Sequence, residues 1–155
     1  MSIVSESLKE NLIDLNCSAI SVEELFKEKA KVLLKMGYVT DTYEEALLQR
    51  EKEYPTGLKM PSIDIAIPHT TTEHINEPFI YFNRLNIKGM EFIQMGTDDV
   101  VVKPECVLML GITNPEEQIT LLAELMDLFN NSDFINSILL AKTPKEILNI
   151  FKNTK

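Results

Sequence analysis

Cys106-Val107-Leu108-Met109-Leu110-Gly111-Ile112 is the longest uninterrupted apolar stretch in the chain. It is far shorter than the roughly 20 residues that cross a bilayer as a helix. Successive side chains of a strand point to opposite faces, so a strand apolar at every position is covered on both sides. The stretch therefore reads as the central strand of a sheet between helical layers. Two further strand-like runs precede it. In Ile63-Asp64-Ile65-Ala66-Ile67 isoleucine occupies every second position, and Phe79–Leu85 is rich in branched and aromatic residues.

Helical patterns flank these runs. Ser21 with Glu24 forms a capping-box signature, after which Val22, Leu25, Phe26, Ala30 and Leu33 recur at helical spacing until Gly37. A second helix is expected from Thr42, with Glu45 three positions on, to the stop at Tyr54-Pro55; its apolar stripe is Tyr43, Ala46 and Leu47. Beyond the central strand, Asn114-Pro115-Glu116-Glu117 opens a helix whose expected inner face is Ile119, Leu122, Ala123, Met126 and Phe129. Ser132 is the expected cap of a shorter helix with Ile135, Ile138 and Leu139 inward, and Thr143 caps a last one with Ile147, Ile150 and Phe151 inward. Helices before, between and after strands define an α/β layered fold. Met36, Met109 and Met126 read as gap-filling core.

The chain has 155 residues, 45% of them hydrophobic and 25% charged, with no repeat and no Gly/Ser-rich linker. One globular domain over residues 1–155 is expected. The start, M-S-I-V-S-E-S-L-K-E, lacks the basic segment and apolar core of a secretory signal, so a cytoplasmic location is expected. Cys17 and Cys106 form no C-x-x-C pair and read as reduced core thiols. A formal charge of −9 opposes binding to nucleic acid or to an anionic membrane, and favours a positively faced protein partner.

Chemistry centres on His69, one of only two histidines. It follows the Ile63–Ile67 strand directly, and ligands of open α/β sheets gather beyond the carboxyl ends of strands. Pro68 fixes its own φ and holds Ile67 extended, which gives the imidazole a stiff mount. Taken alone, a single histidine is more often an ordinary loop or core residue. Arg50 changes the weighing, because it lies three, four and seven positions after Leu47, Ala46 and Tyr43 and so shares their inward face. A guanidinium turned inward calls for an anion, either a structural carboxylate such as Asp64 or a phosphoryl group, whose oxygens match the donor fork in pairs. Between the two lies Tyr54-Pro55-Thr56-Gly57, which offers a hydroxyl and a glycine that permits close backbone approach, and which is also a plain turn. His74, in T-T-T-E-H-I, reads as part of a solvated loop, and neither histidine has the ligand company of a metal site.

The order R-E-x-x-x-P-T-G from Arg50 to Gly57, followed by I-A-I-P-H ending at His69, resembles the type-2 enzyme IIA domain of the bacterial phosphoenolpyruvate-dependent sugar phosphotransferase system. The resemblance extends over nearly the whole chain. It implies a three-layer α/β/α sandwich with a mixed parallel and antiparallel sheet, His69 as phosphoryl acceptor on Nε2, and Arg50 as the group that stabilises the phosphoryl. It further implies a donor, the histidine phosphocarrier protein, and an acceptor, the cysteine of an enzyme IIB, with no cofactor and with the membrane reached only through the enzyme IIC permease. Mannitol and fructose members carry a second histidine in the first turn of the helix after the central strand. In the matching N-P-E-E-Q-I segment Gln118 takes that place and leaves an amide donor at a positive helix end. Gln118, with Tyr54-Pro55 before Thr56-Gly57, is most similar to the galactitol-type branch. The resemblance thus assigns Thr56 and Gln118 a secondary part in holding the phosphoryl group.

A neutral imidazole is nucleophilic near pH 7 and forms a phosphorus–nitrogen bond labile enough to pass the group onward. Two rivals remain at this stage. One is a regulatory module that binds other proteins according to the phosphorylation state of His69, as nitrogen-related relatives do. The other is a stand-alone metal or acid–base enzyme, which the scarcity of histidine and the lack of a ligand cluster disfavour.

Overall fold

The computed structural model describes residues 3–154. In chain order the elements are α1 (Ile3–Ser7), β1 (Leu8–Cys17), α2 (Val22–Lys35), α3 (Tyr43–Glu53), β2 (Gly57–Lys59), β3 (Asp64–Ala66), β4 (Phe79–Leu85), β5 (Phe92–Ile93), β6 (Val101–Val102), β7 (Cys106–Gly111), α4 (Pro115–Phe129), α5 (Ser132–Leu140) and α6 (Pro144–Asn153). The wholly apolar stretch is the middle strand of a five-stranded sheet of order β1-β4-β7-β3-β2. β7 is antiparallel to β4 and parallel to β3, while β1 is parallel to β4 and β2 antiparallel to β3. The mixed sheet is the one expected. Among the described residues no helix is long and apolar enough to cross a membrane.

Alternation along β7 divides the core in two. Cys106, Leu108 and Leu110 pack with Ile80, Phe82 and the inner faces of α4, α5 and α6. Val107 and Met109 pack with Phe79, Tyr81 and the inner faces of α2 and α3. The sheet is thereby sandwiched between helical layers, and burial on both of its faces is the dominant stabilising term. At the end of β7 the layers meet with no slack: Gly111 pairs with Phe79, and a Cβ at Gly111 would lie 2.1 Å from the Phe79 ring.

Local signals set most helix ends. Ser21 accepts from the Glu24 N–H, Asn114 accepts from the Glu116 N–H ahead of α4, and Thr143 with Glu146 makes a complete capping box. Two expected caps are corrected. Asn131, not Ser132, caps α5, because the Asn131 side chain reaches the Phe134 N–H. Thr42 stands at the N-cap of α3 without capping it; its hydroxyl instead meets His74 Nδ1 at 2.7 Å. His74 lies in a solvated turn, as expected, and in addition ties the Thr72–His74 turn to the start of α3.

The inner face of α4 also differs from expectation. Leu121, Leu125, Leu128 and Phe129 are buried, whereas Ile119 and Met126 are exposed. The sequence Ile-Thr-Leu-Leu-Ala-Glu-Leu-Met-Asp-Leu-Phe carries two apolar stripes, and periodicity alone does not say which one meets the sheet. Met36 is likewise exposed, beside the Gly37 turn, so of the three methionines assigned to the core only Met109 lies fully within it.

Gly111→Ala is expected to destabilise the fold by about 1–3 kcal/mol, the ordinary cost of overpacking a rigid core. Urea unfolding should show a lower midpoint at unchanged slope, and an unchanged midpoint would contradict the packing described.

Candidate active site

β3 ends at Ala66, yet pairing with β7 continues past it. The Leu110 N–H donates to the Pro68 carbonyl at 2.9 Å, so His69 is held in register beside Leu110 although Pro68 has no N–H to contribute. The side chain is then pinned from behind. His69 Nδ1 lies 2.8 Å from the Ile67 carbonyl oxygen. A carbonyl only accepts, so Nδ1 carries the proton and the lone pair is on Nε2. Burial pushes the imidazole below its ordinary range; the bond to Ile67 opposes that shift and the nearby Arg50 charge adds to it. The ring is therefore neutral at pH 7, with its nucleophilic nitrogen fixed.

Arg50 comes from the last turn of α3. Its guanidinium carbon lies 4.4 Å from the centroid of the Tyr54 ring, which holds the planar group by its face. Among the described residues it makes no ion pair, so Asp64 is not its counter-ion. Arg50 Nε is buried without a hydrogen-bond partner. A desolvated, unpaired donor on a permanent cation is costly unless an anion answers it, and such exceptions concentrate where ligands bind.

Thr56 is buried, and its hydroxyl is already committed. It donates to Glu51 Oε1 at 2.7 Å, while the Thr56 N–H donates to Glu51 Oε2 at 2.8 Å. The Thr56 carbonyl in turn accepts from the Ile67 N–H at 3.2 Å. Glu51, Thr56, Ile67 and His69 thus form one hydrogen-bonded succession across α3, the Pro55–Gly57 turn and β3. Burial lifts the Glu51 carboxyl to about 7, against the opposing pull of its two Thr56 bonds. The sequence reading passed over Glu51, although its place in R-E-x-x-x-P-T-G was visible. A carboxylate on the inward side of a helix, five residues from a turn threonine, was the signal available.

Gly57 allows the close backbone approach expected of it, that of Ile93: a Cβ there would lie 2.8 Å from the Ile93 carbonyl oxygen. Gln118 is half-buried in the opening turn of α4, and its side-chain amide makes no hydrogen bond among the described residues. The structure thus joins His69 to Thr56 and Glu51 through hydrogen bonds, sets Arg50 close enough for its charge to act on His69, and leaves Gln118 outside that network.

A neutral, backbone-tied imidazole close to an unpaired guanidinium is the arrangement of a group-transfer site for an anionic electrophile. The model of the family described as "Phosphoenolpyruvate-dependent sugar phosphotransferase system, EIIA 2" matches residues 6–154, and the chain belongs to that family. It is 31% identical over 122 residues to the galactitol-specific EIIA component of Escherichia coli (strain K12), across 79% of this chain and 80% of that protein. The crystal structure of IIA mannitol from E. coli superposes with a TM-score of 0.74 at 26% identity, covering 94% of this chain and 99% of that one. A complex of enzyme IIAMTL and phosphorylated enzyme IIBMTL from the same organism gives 0.73 at 23% identity, over 95% and 99% of the two chains, a likeness of fold. The chain is accordingly a phosphotransferase-system enzyme IIA with a carrier role in sugar phosphotransfer.

The imidazole is expected to titrate with a midpoint below 6.5, and at pH 7.5 Nδ1 rather than Nε2 should bear the proton. Two-dimensional 15N NMR of the ring reads both. A proton on Nε2, or a midpoint above 6.5, would contradict the geometry.

Proposed function

We propose that His69 Nε2 accepts a phosphoryl group from the histidine phosphocarrier protein and passes it to the cysteine of an enzyme IIB, in the galactitol-type branch. The observation that carries this reading is the buried, unpartnered Nε of Arg50 beside an imidazole whose other nitrogen is already bonded. Likeness to the galactitol-specific relative over most of both chains supports the branch. The complex of enzyme IIAMTL with phosphorylated enzyme IIBMTL supports the acceptor.

The transfer follows from elementary chemistry. The Nε2 lone pair attacks phosphorus in line with the leaving group, the bond to the donor breaks, and the new phosphorus–nitrogen bond forms with no proton lost from Nε2. Charge on the equatorial oxygens is met by Arg50 and, at the positive N-terminal end of α4, by the amide of Gln118. Nδ1 keeps its proton on the Ile67 carbonyl throughout. Onward transfer is the same displacement with a thiolate as attacking group.

With phosphoenolpyruvate, enzyme I and the histidine phosphocarrier protein supplied, His69→Ala should take no acid-labile phosphate. Arg50→Ala should keep its fold by circular dichroism yet slow transfer about 10²–10³-fold, the usual cost of removing one charge-stabilising donor. Phosphate retained on His69→Ala would overturn the assignment. An unfolded Arg50→Ala would return that residue to a structural role, in which case Arg50→Lys distinguishes charge from fork geometry. Offering the phosphorylated chain a panel of enzyme IIB domains then tests the branch.

A further inference from the structure

Thr56 presents a problem to any account in which its hydroxyl helps to hold the phosphoryl group. A hydroxyl has one hydrogen to donate, and that hydrogen goes to Glu51. The Glu51 carboxyl is bound only by the two Thr56 donors, and no ion pair reaches it among the described residues. A buried carboxylate without a cation, bonded to one residue, is easily protonated. If Oε2 keeps the Thr56 N–H and Oε1 takes a proton from solvent, Oε1 becomes the donor and Thr56 Oγ1 the acceptor. The hydroxyl hydrogen is then released to point elsewhere. Thr56 lies across from Ile67 on the strand pair that leads to His69, so the freed donor belongs to the same hydrogen-bonded succession as the imidazole.

Building on the phosphoryl-relay reading, we infer that Glu51 is a proton-linked positioning residue: its carboxyl becomes more fully protonated when His69 is phosphorylated, and that protonation turns the Thr56 hydroxyl from the carboxylate to the phosphoryl group. The electrostatic cause is simple. A phosphoryl group adds negative charge near a buried carboxylate, and like charges in a poorly solvated region favour the protonated carboxyl. Proton and phosphoryl then enter and leave together, so the buried site gains less net charge than the phosphoryl group alone would bring.

The surroundings allow this exchange. Glu51 lines a cleft of ≈ 430 Å³ that gives the carboxyl a route to water. Charged groups face the cleft from the elements around it: Glu23 on α2, Lys52 and Glu53 on α3 itself, Glu91 just before β5, and Asp98 in the turn between β5 and β6. Four of these five are acidic, so the cleft presents the carboxyl with no excess of positive charge. The carboxyl already rests near 7, so a modest added charge is enough to change its state at neutral pH.

The test is a 13C NMR titration of the Glu51 side-chain carboxyl in the intact chain, unphosphorylated and then held phosphorylated by excess phosphoenolpyruvate with enzyme I and the histidine phosphocarrier protein. The expected midpoint is about 7 in the first state and about one pH unit higher in the second. In parallel, Glu51→Gln, whose amide donates to Thr56 as the protonated acid would, should accept phosphoryl at a rate that varies less than about twofold between pH 6 and 8, against a several-fold variation in the wild type. A midpoint in the ordinary carboxylate range, or one unmoved by phosphorylation, would overturn this inference while leaving the relay intact. A chain that takes no phosphoryl group would overturn both.

Discussion

The hydrogen bond from the Leu110 N–H to the Pro68 carbonyl fixes everything that follows from it. Proline cannot donate to a ladder, and a strand would ordinarily part from its neighbour there. Because the proline carbonyl still accepts, β3 stays in register with the most buried strand of the sheet for three residues beyond its last regular pair, and His69 inherits the rigidity of β7. A second bond, from Nδ1 to the Ile67 carbonyl, converts that rigid mount into a defined tautomer. The proposed nucleophile is thus prepared by backbone alone. On that proposal the side chains around it handle the charge of the group that arrives.

That division of labour explains the neighbours. Arg50 is buried enough to lose solvent and is held flat on Tyr54, yet it is bonded to no carboxylate, although Glu51 follows it directly. The Glu51 carboxyl turns instead to both donors of Thr56. Consecutive residues of a helix point in different directions, so Arg50 and Glu51 leave α3 toward different partners. The helix thus carries an unpaired cation and a cation-free carboxyl in succession, at a cost in stability consistent with function rather than packing.

Much of this could be read from sequence where one residue type left one structural option. Seven apolar residues in Cys106–Ile112 required a strand covered on both faces, and Asn114-Pro115 and Thr143-Pro144 required helix starts. His69 and Arg50 were legible because one follows an alternating strand and the other shares a face with Tyr43 and Leu47. β1 was not, because Leu8–Cys17 is an edge strand whose pairing with β4 shifts register between Leu8 and Ile13 and again between Asp14 and Cys17. Its period slips where the register does, and Lys9, Glu10 and Asn11 argue against a strand by propensity. The bonding of Glu51 was legible only in part: its spacing to the turn threonine is visible in the sequence, but only the fold shows that both Thr56 donors turn toward it. The choice between two apolar stripes on α4 likewise belongs to tertiary packing.

The central claim is that backbone contacts leave one nitrogen of one histidine as the phosphoryl acceptor. The chain labelled with 15N in its histidine rings and phosphorylated through the histidine phosphocarrier protein should show a one-bond phosphorus–nitrogen coupling on Nε2 of His69, with Nδ1 still protonated. Coupling on Nδ1, or on His74, would contradict the account.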